Sequence, residues 1–262
     1  MENQIKKLHV AILPSPFMGH LIPLLELAKR LISHHDFQVT FFLLSTDSSA
    51  AQSQFLHPPT TVPIDGLHFH HLPPPLHISP SSLLDYAEIQ SRASIIVRES
   101  IPHIQSSILT NNTPDVFVFD FYATDAFEIA DKLGIPKYIF FTSPAMVLPF
   151  LMYLPTLDRQ IQGEFTDLKE PVQVPGCKPI PIDNLIDPVR NRKTRTYKWF
   201  LHHTSRFPLV NGIFVNTCQV LERTTLATLR EDPILQQIPA PRVYPVGPQI
   251  KLDKSPSSVQ SD

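Results

Sequence analysis

Short apolar runs alternate with longer amphipathic segments along most of this sequence. The runs are rich in Val, Ile, Leu and Phe, which is typical of strands buried on both faces of a sheet. We predict strands at Leu8–Leu13, Phe37–Leu44, Leu67–Leu72, Asp115–Asp120, Lys137–Phe141, Gly212–Asn216 and Val243–Gly247. Because helix-like segments separate most of these strands, the chain is predicted to fold as one α/β domain, an open parallel sheet covered on both sides.

The helix-like segments carry apolar residues at a spacing of three to four. We predict helices at Leu21–Ile32, Ser82–Leu109, Ala123–Leu133, from beyond Pro144 to about Ile161, Thr194–Arg206 and Val220–Glu231. The uncharged stretch from Tyr138 to Leu157 has the length of a membrane span. Prolines interrupt it, so we interpret it as a strand, a loop and a helix, and expect a soluble, cytoplasmic protein.

Composition excludes several classes of function. The chain has 262 residues with a net charge of −2, so it lacks the basic field that would favour a nucleic acid or an anionic membrane as partner. Glycine is scarce, at 7 residues against 28 prolines, and neither G-x-G-x-x-G nor a P-loop is present. Dinucleotide dehydrogenases and P-loop ATPases are thereby excluded. Cys177 and Cys218 are expected to be reduced thiols.

The predicted topology brings two chemically useful residues together. In an open parallel sheet, ligands bind beyond the carboxyl ends of the strands, where the strand order reverses. With the order 3-2-1-4-5, the reversal lies between the first and fourth strands. The loop after the first strand carries His20, and the fourth strand ends at Asp120. An imidazole can take a proton from a hydroxyl while a carboxylate holds its other nitrogen.

Structural roles compete with this interpretation. Gly19 is expected to let the backbone turn sharply before His20, and His20 taken alone could be an ordinary loop or cap residue. Asp120 could cap a helix, with Thr124 and Asp125 as rivals for that position. Among the other histidines, no metal site is expected at the cluster His68, His70 and His71, and the pairs His34–His35 and His202–His203 are expected at solvated helix ends.

Several segments together resemble one enzyme family. PSPFMGHLIPLLELAKRL, VFDFYATDAFEIADKLGIPKYIFFTSPA, VPGC, GIFVNT and YPVGP, in this order, are similar to the amino-terminal half of plant secondary-product UDP-glycosyltransferases. The nearest subgroup acts on hydroquinone, monolignols and similar phenols. The resemblance runs from about Leu8 to Ile250. It implies the amino-terminal, Rossmann-like domain of a GT-B fold and inverting transfer of a sugar, most simply glucose, from a UDP-sugar co-substrate. It implies neither a metal nor a cofactor.

The resemblance also assigns roles to residues. It implies that His20 is the catalytic base, that Asp120 orients it, and that Ser143 lies near the donor sugar. We further expect Phe17, Tyr122 and Phe150 to form the walls of the acceptor pocket, because they flank the loops after strands one, four and five. Close relatives in that family often have glycine where this chain has Phe17, so Phe17 is expected to narrow or reshape the mouth of the acceptor pocket.

The resemblance predicts the domain organisation as well. We expect residues 1–250 to form the acceptor-binding domain and residues 251–262 to begin an interdomain linker or a ragged end. On this resemblance, we expect the family's carboxyl-terminal donor domain to be missing from these 262 residues. Three interpretations therefore remain: the acceptor half of a UDP-sugar transferase, inactive alone; a truncated protein that holds a small phenol without catalysis; or an interaction module that pairs with a carboxyl-terminal partner.

Overall fold

Seven parallel strands form one sheet at the centre of the protein. The computed structural model describes residues 6–44, 63–74, 89–110, 113–238 and 241–251. In chain order the strands are β1 (His9–Leu13), β2 (Gln38–Leu44), β3 (Leu67–Leu72), β4 (Val116–Asp120), β5 (Lys137–Phe141), β6 (Gly212–Val215) and β7 (Arg242–Pro245). Their order across the sheet is β3-β2-β1-β4-β5-β6-β7, which confirms the predicted 3-2-1-4-5 arrangement and places the reversal between β1 and β4.

The described helices are joined to the strands mostly in alternation. They are α1 (Met18–His35), α2 (Ile89–Thr110), α3 (Phe127–Leu133), α4 (Leu148–Gln160), α5 (Asp187–Arg190), α6 (Arg195–Ser205), α7 (Arg223–Glu231) and α8 (Pro233–Gln237). Each of the predicted helices has a counterpart among them. The predicted start of the second helix, at residues 82–88, and the predicted linker from residue 252 onward lie outside the described residues.

The two faces of the sheet bury different side chains. In β1, Val10 and Ile12 pack with α1 on one face, whereas Ala11 and Leu13 belong to the larger cluster on the other face. That cluster includes apolar residues of α2, α3, α4, α6 and α7. Because both faces are covered, the central strands need no polar alternation, which explains their continuous apolar sequences. The α/β fold class, a Rossmann-like sheet with helices on both faces, is confirmed.

Two helix starts differ from the sequence prediction. The helix predicted from Ala123 is preceded by a 3-10 segment, Phe121–Ala126, which we call the η1 turn. Its tighter winding begins where the Asp120 side chain accepts a hydrogen bond from the backbone N–H of Tyr122, at 3.1 Å. The first helix begins at Met18 rather than Leu21, so Gly19 and His20 lie inside its first turn.

The uncharged stretch from Tyr138 to Leu157 forms most of β5, a short loop with a 3-10 turn (Ala145–Val147), and most of α4. This arrangement confirms the interpretation as strand, loop and helix. None of the helices in the described ranges has both the length and the apolar character that crossing a bilayer requires.

Candidate active site

The candidate site lies at the carboxyl ends of β1 and β4, where the strand order reverses. The two strands pair in parallel with Leu13 opposite Phe119, so the segment after β1 and the last residue of β4 reach the same edge of the sheet. His20 follows β1 by seven positions and Asp120 ends β4. The topology thus brings together two residues that are one hundred positions apart.

His20 is held by the first turn of α1. The helix begins after Phe17, whose carbonyl accepts hydrogen bonds from the N–H groups of His20 and Leu21 at 2.9 and 2.8 Å. Phe17 itself is extended, with φ −118° and ψ 142°. The prediction of a sharp turn at Gly19 is therefore wrong, because the chain bends at Phe17 and Gly19 is an ordinary helical residue.

Asp120 is fully buried and engages three partners. Its Oδ2 lies 2.7 Å from Nδ1 of His20. Its Oδ1 accepts one hydrogen bond from the hydroxyl of Ser15 and another from the N–H of Tyr122. The structural interpretation of Asp120 as a cap is confirmed, because one oxygen caps the η1 turn. Its other oxygen faces the imidazole, and its role in catalysis remains a prediction.

The charges of the pair support each other. Burial acts to lower the pKa of His20, but the adjacent Asp120 carboxylate outweighs it, and the pKa of His20 is raised above its ordinary value. Burial acts to raise the pKa of Asp120, yet His20, Ser15 and the Tyr122 N–H together hold it below the usual value. Asp120 is therefore a carboxylate at neutral pH, and neutral His20 keeps its proton on Nδ1, which leaves the Nε2 lone pair to accept one.

Two aromatic rings flank the imidazole. The Tyr122 ring centroid lies 5.4 Å from that of His20, and the Phe17 centroid lies 6.2 Å away. Tyr122 is 8% exposed, and burial beside Asp120 raises the pKa of its hydroxyl, so it remains protonated. The side chain of His20 is 20% exposed, so solvent can reach part of it.

The other two predicted site residues lie farther along the same edge. Ser143 is an exposed residue of the loop after β5, and Phe150 lies in the first turn of α4 with 5% exposure. No hydrogen bond or ring contact joins either of them to His20 within the described part of the chain. The roles of Ser143 and Phe150 remain predictions.

Sequence reasoning missed two polar residues at this edge. Ser15 is fully buried between Pro14 and Pro16, and a hydroxyl directly after a buried strand was the available signal. Glu222 accepts hydrogen bonds from the N–H groups of Ala145 and Met146, both at 2.8 Å, and so caps the segment that follows Ser143. Nothing in the local sequence indicates that Glu222 reaches a loop 76 residues away.

The expectation of solvated histidines at His202–His203 is wrong for one of the pair. His203 is completely buried, because α6 packs against α2 and the η1 turn rather than projecting into water. His202 is partly exposed and contacts Asp125 at 2.5 Å. Among the described residues, no three His, Cys, Asp or Glu side chains are grouped closely enough to hold a metal ion. Cys177 and Cys218 are free thiols.

Comparison with known proteins gives a consistent picture. The chain is 39% identical over 257 residues to UDP-glycosyltransferase 72B1 of Arabidopsis thaliana, a match covering 96% of this chain and 51% of that protein. It is 38% identical over 252 residues to the hydroquinone glucosyltransferase of Rauvolfia serpentina, covering 94% of this chain and 51% of the relative. No protein-family model matches the chain.

Solved structures of plant UDP-glucosyltransferases are similar to this chain as well. A UDP-glucosyltransferase from Polygonum tinctorium capable of glucosylating indoxyl, in complex with 3,4-dichloroaniline, superposes with a TM-score of 0.83 at 38% identity, covering 95% of this chain and 55% of that one. Phytolacca americana UGT2, complexed with UDP-2-fluoro-glucose and pterostilbene, gives a TM-score of 0.82 at 35% identity. That match covers 94% of this chain and 55% of the UGT2 chain. The chain therefore spans about half the length of the relatives it matches.

Proposed function

We propose that this chain is the acceptor-binding, amino-terminal half of a plant UDP-glycosyltransferase, because its matches to such enzymes cover nearly all of this chain but only about half of each relative. The reaction is transfer of a sugar, most simply glucose, from a UDP-sugar co-substrate to the hydroxyl of a small phenol. Residues 1–250 form the acceptor domain, residues 251–262 begin the linker, and most donor contacts come from the half that this sequence does not cover. The chain alone is then inactive.

One observation carries the proposal: Nδ1 of His20 lies 2.7 Å from the buried carboxylate of Asp120, while the imidazole remains partly exposed at the carboxyl edge of the sheet. A buried carboxylate that fixes one imidazole nitrogen makes the other a competent base. The relatives' acceptors, hydroquinone and indoxyl among them, carry a hydroxyl on an aromatic ring. Such a hydroxyl is a modest nucleophile at neutral pH until its proton is removed.

In the proposed mechanism, Nε2 of His20 takes the proton of the phenol hydroxyl. The phenol oxygen forms a bond to the anomeric carbon of UDP-glucose from the face opposite UDP, the carbon–oxygen bond to UDP breaks, and the electron pair leaves with UDP. The product is a β-glucoside. Asp120 keeps its hydrogen bond to the Nδ1–H and stabilises the imidazolium without becoming protonated.

The residues around the base support the acceptor assignment. Phe17 and Tyr122 both present aromatic rings next to His20, and a phenol ring can pack against such surfaces. Phe150 is proposed as a third wall, and Ser143 as a hydroxyl near the donor sugar, because both follow β5 at the same edge. The placement of a binding pocket at the switch point of an open parallel sheet is general.

The test joins residues 1–250 to the carboxyl-terminal half of the Rauvolfia serpentina hydroquinone glucosyltransferase. We expect this chimera to form a β-glucoside from hydroquinone and UDP-glucose. His20→Ala should lower turnover by about a hundred- to ten-thousand-fold, the usual contribution of a general base. His34→Ala, at the exposed end of the same helix, is the matched control and should leave turnover unchanged.

The loss in His20→Ala should shrink for nitrophenols, because these acceptors ionise without help at neutral pH. This dependence separates loss of a base from misfolding, which would reduce turnover of every acceptor equally. If the His20→Ala chimera glucosylates hydroquinone at the unsubstituted rate, His20 is not the base. A folded chain that binds phenols but supports no turnover in any chimera would instead favour the non-catalytic binding protein.

A further inference from the structure

A second histidine, His203, lies completely buried behind the candidate site. It projects from α6 into the space between α2 and the η1 turn. Its Nε2 lies 2.8 Å from the hydroxyl of Ser94 on α2, and its Nδ1 lies 2.7 Å from the hydroxyl of Thr124 in the η1 turn. The imidazole therefore connects three separate elements of the chain. The proposed reaction makes no use of it.

The direction of each hydrogen bond follows from counting protons. Ser94 donates its hydroxyl hydrogen to the carbonyl of Gln90, at 3.1 Å, so its oxygen accepts from the Nε2–H of His203. Nδ1 then carries a lone pair and accepts from Thr124. Complete burial lowers the pKa of His203 to about 3, so the ring is neutral at physiological pH and keeps this single tautomer.

His203 also contacts the ring that flanks the proposed base. The Tyr122 ring lies 5.8 Å from the His203 ring at an interplanar angle of 82°. The same tyrosine ring lies 5.4 Å from that of His20. Tyr122 thus contacts both the buried, neutral histidine and the partly exposed one. Thr124, two positions after Tyr122 in the η1 turn, is fixed by the hydrogen bond to His203.

We propose that His203 is a positioning residue of the acceptor pocket, which sets the place of Tyr122 beside His20 through its bond to Thr124 and its contact with the tyrosine ring. This inference rests on the proposed function only for the nature of the ligand. A phenylalanine would occupy a similar volume without burying two ring nitrogens. The histidine differs from it by reaching α2 and the η1 turn with directional bonds, which fix orientation as well as volume.

The experiment uses the 262-residue chain with carbon-13-labelled tyrosine. The chain has 6 tyrosines, and the variant Tyr122→Phe identifies the resonances of Tyr122. His203→Phe removes both hydrogen bonds, and Thr124→Val removes one of them at nearly constant volume. The control is Thr204→Val, because Thr204 is a buried neighbour on α6 whose hydroxyl, among the described residues, donates to the carbonyl of Leu201 in its own helix.

We expect His203→Phe and Thr124→Val to shift the ring resonances of Tyr122 and to weaken binding of hydroquinone by about threefold to tenfold. Thr204→Val should lower the urea midpoint of unfolding but change neither the Tyr122 resonances nor the affinity for hydroquinone. The inference is overturned if both test variants match Thr204→Val in tyrosine resonances and in hydroquinone affinity, since His203 would then serve packing alone.

Two further outcomes have a defined interpretation. If His203→Phe does not fold, Thr124→Val alone carries the comparison. If the unsubstituted chain binds no phenol, the proposed function fails, but the Tyr122 resonances still decide whether His203 positions the ring.

Discussion

Replacing Asp120 by asparagine should convert His20 into the wrong tautomer while leaving the fold in place. The structure dictates how the new amide must orient. The backbone N–H of Tyr122 can only donate, so the amide oxygen must take the place of Oδ1, where it also accepts from Ser15. The amide nitrogen then faces Nδ1 of His20 and donates to it. Neutral His20 must therefore carry its proton on Nε2.

The magnitude follows from what is kept and what is lost. Shape and all three hydrogen bonds are kept, but each changes from charge-assisted to neutral. Because the variant also no longer buries a charge, the free energy of unfolding should fall by only about 1–2 kcal/mol. Turnover in the chimera should fall much further. The same change in a serine-protease triad lowers kcat by about ten-thousand-fold through the wrong tautomer, and we expect about a thousand- to ten-thousand-fold here.

Two assays check this reasoning independently. Nitrogen-15 shifts of the imidazole report which nitrogen is protonated, and we expect the proton on Nδ1 in the unsubstituted chain and on Nε2 in Asp120→Asn. Rates of hydroquinone glucosylation by the chimera report the cost to catalysis. If Asp120→Asn keeps its proton on Nδ1, or retains more than about a tenth of the turnover, the orientation argument is refuted.

Three other predictions concern the residues around the site. Ser15→Ala should lower the free energy of unfolding by about 1–2 kcal/mol in urea titrations, because it removes a buried hydrogen bond to Asp120, whereas Ser33→Ala, at an exposed position, should have little effect. The pKa of Asp125 is lowered to about 2, because its hydrogen bonds to His202 and Arg98 outweigh the effect of burial. The contribution of Asp125 to the free energy of unfolding is therefore present above the ordinary carboxyl pKa and is lost as the pH falls through about 2. Asp125→Asn should thus reduce stability at pH 6 by about 1–2 kcal/mol but not at pH 2, and an equal loss at both would contradict the charge argument. Phe17→Gly should widen the range of phenols that the chain binds, measured by calorimetry on a panel of increasing ring size; an unchanged panel would remove Phe17 from the pocket wall.

The fold was predictable because its signals are local. Each strand is a short apolar run, and the reversal between β1 and β4 follows from general rules for parallel sheets, so the proximity of His20 and Asp120 could be inferred without a structure. The start of α1 was misplaced, since the proline before Phe17 and the glycine after Met18 obscure its first turn.

The contacts that were missed depend on distant segments. His203 has the same local sequence context as His202, yet only His203 points into the interior, because its orientation depends on how α6 packs against α2. Glu222 follows β6 in the chain, yet its side chain bonds to the backbone of the segment after β5. Ser15 carried a usable signal, but its partner became evident only once β1 and β4 were aligned.

The parallel pairing of β1 with β4 has a consequence for how the site comes into existence during folding. The two strands are separated by about a hundred residues of chain, including β2, β3 and α2. Contacts of such long range form late, because a large loop must close before they stabilise anything. A folding intermediate that contains only β1, α1 and β2 has no carboxylate beside His20. The pKa of His20 should therefore rise only when β4 pairs with β1, so its titration during refolding would report the step that joins the two halves of the sheet.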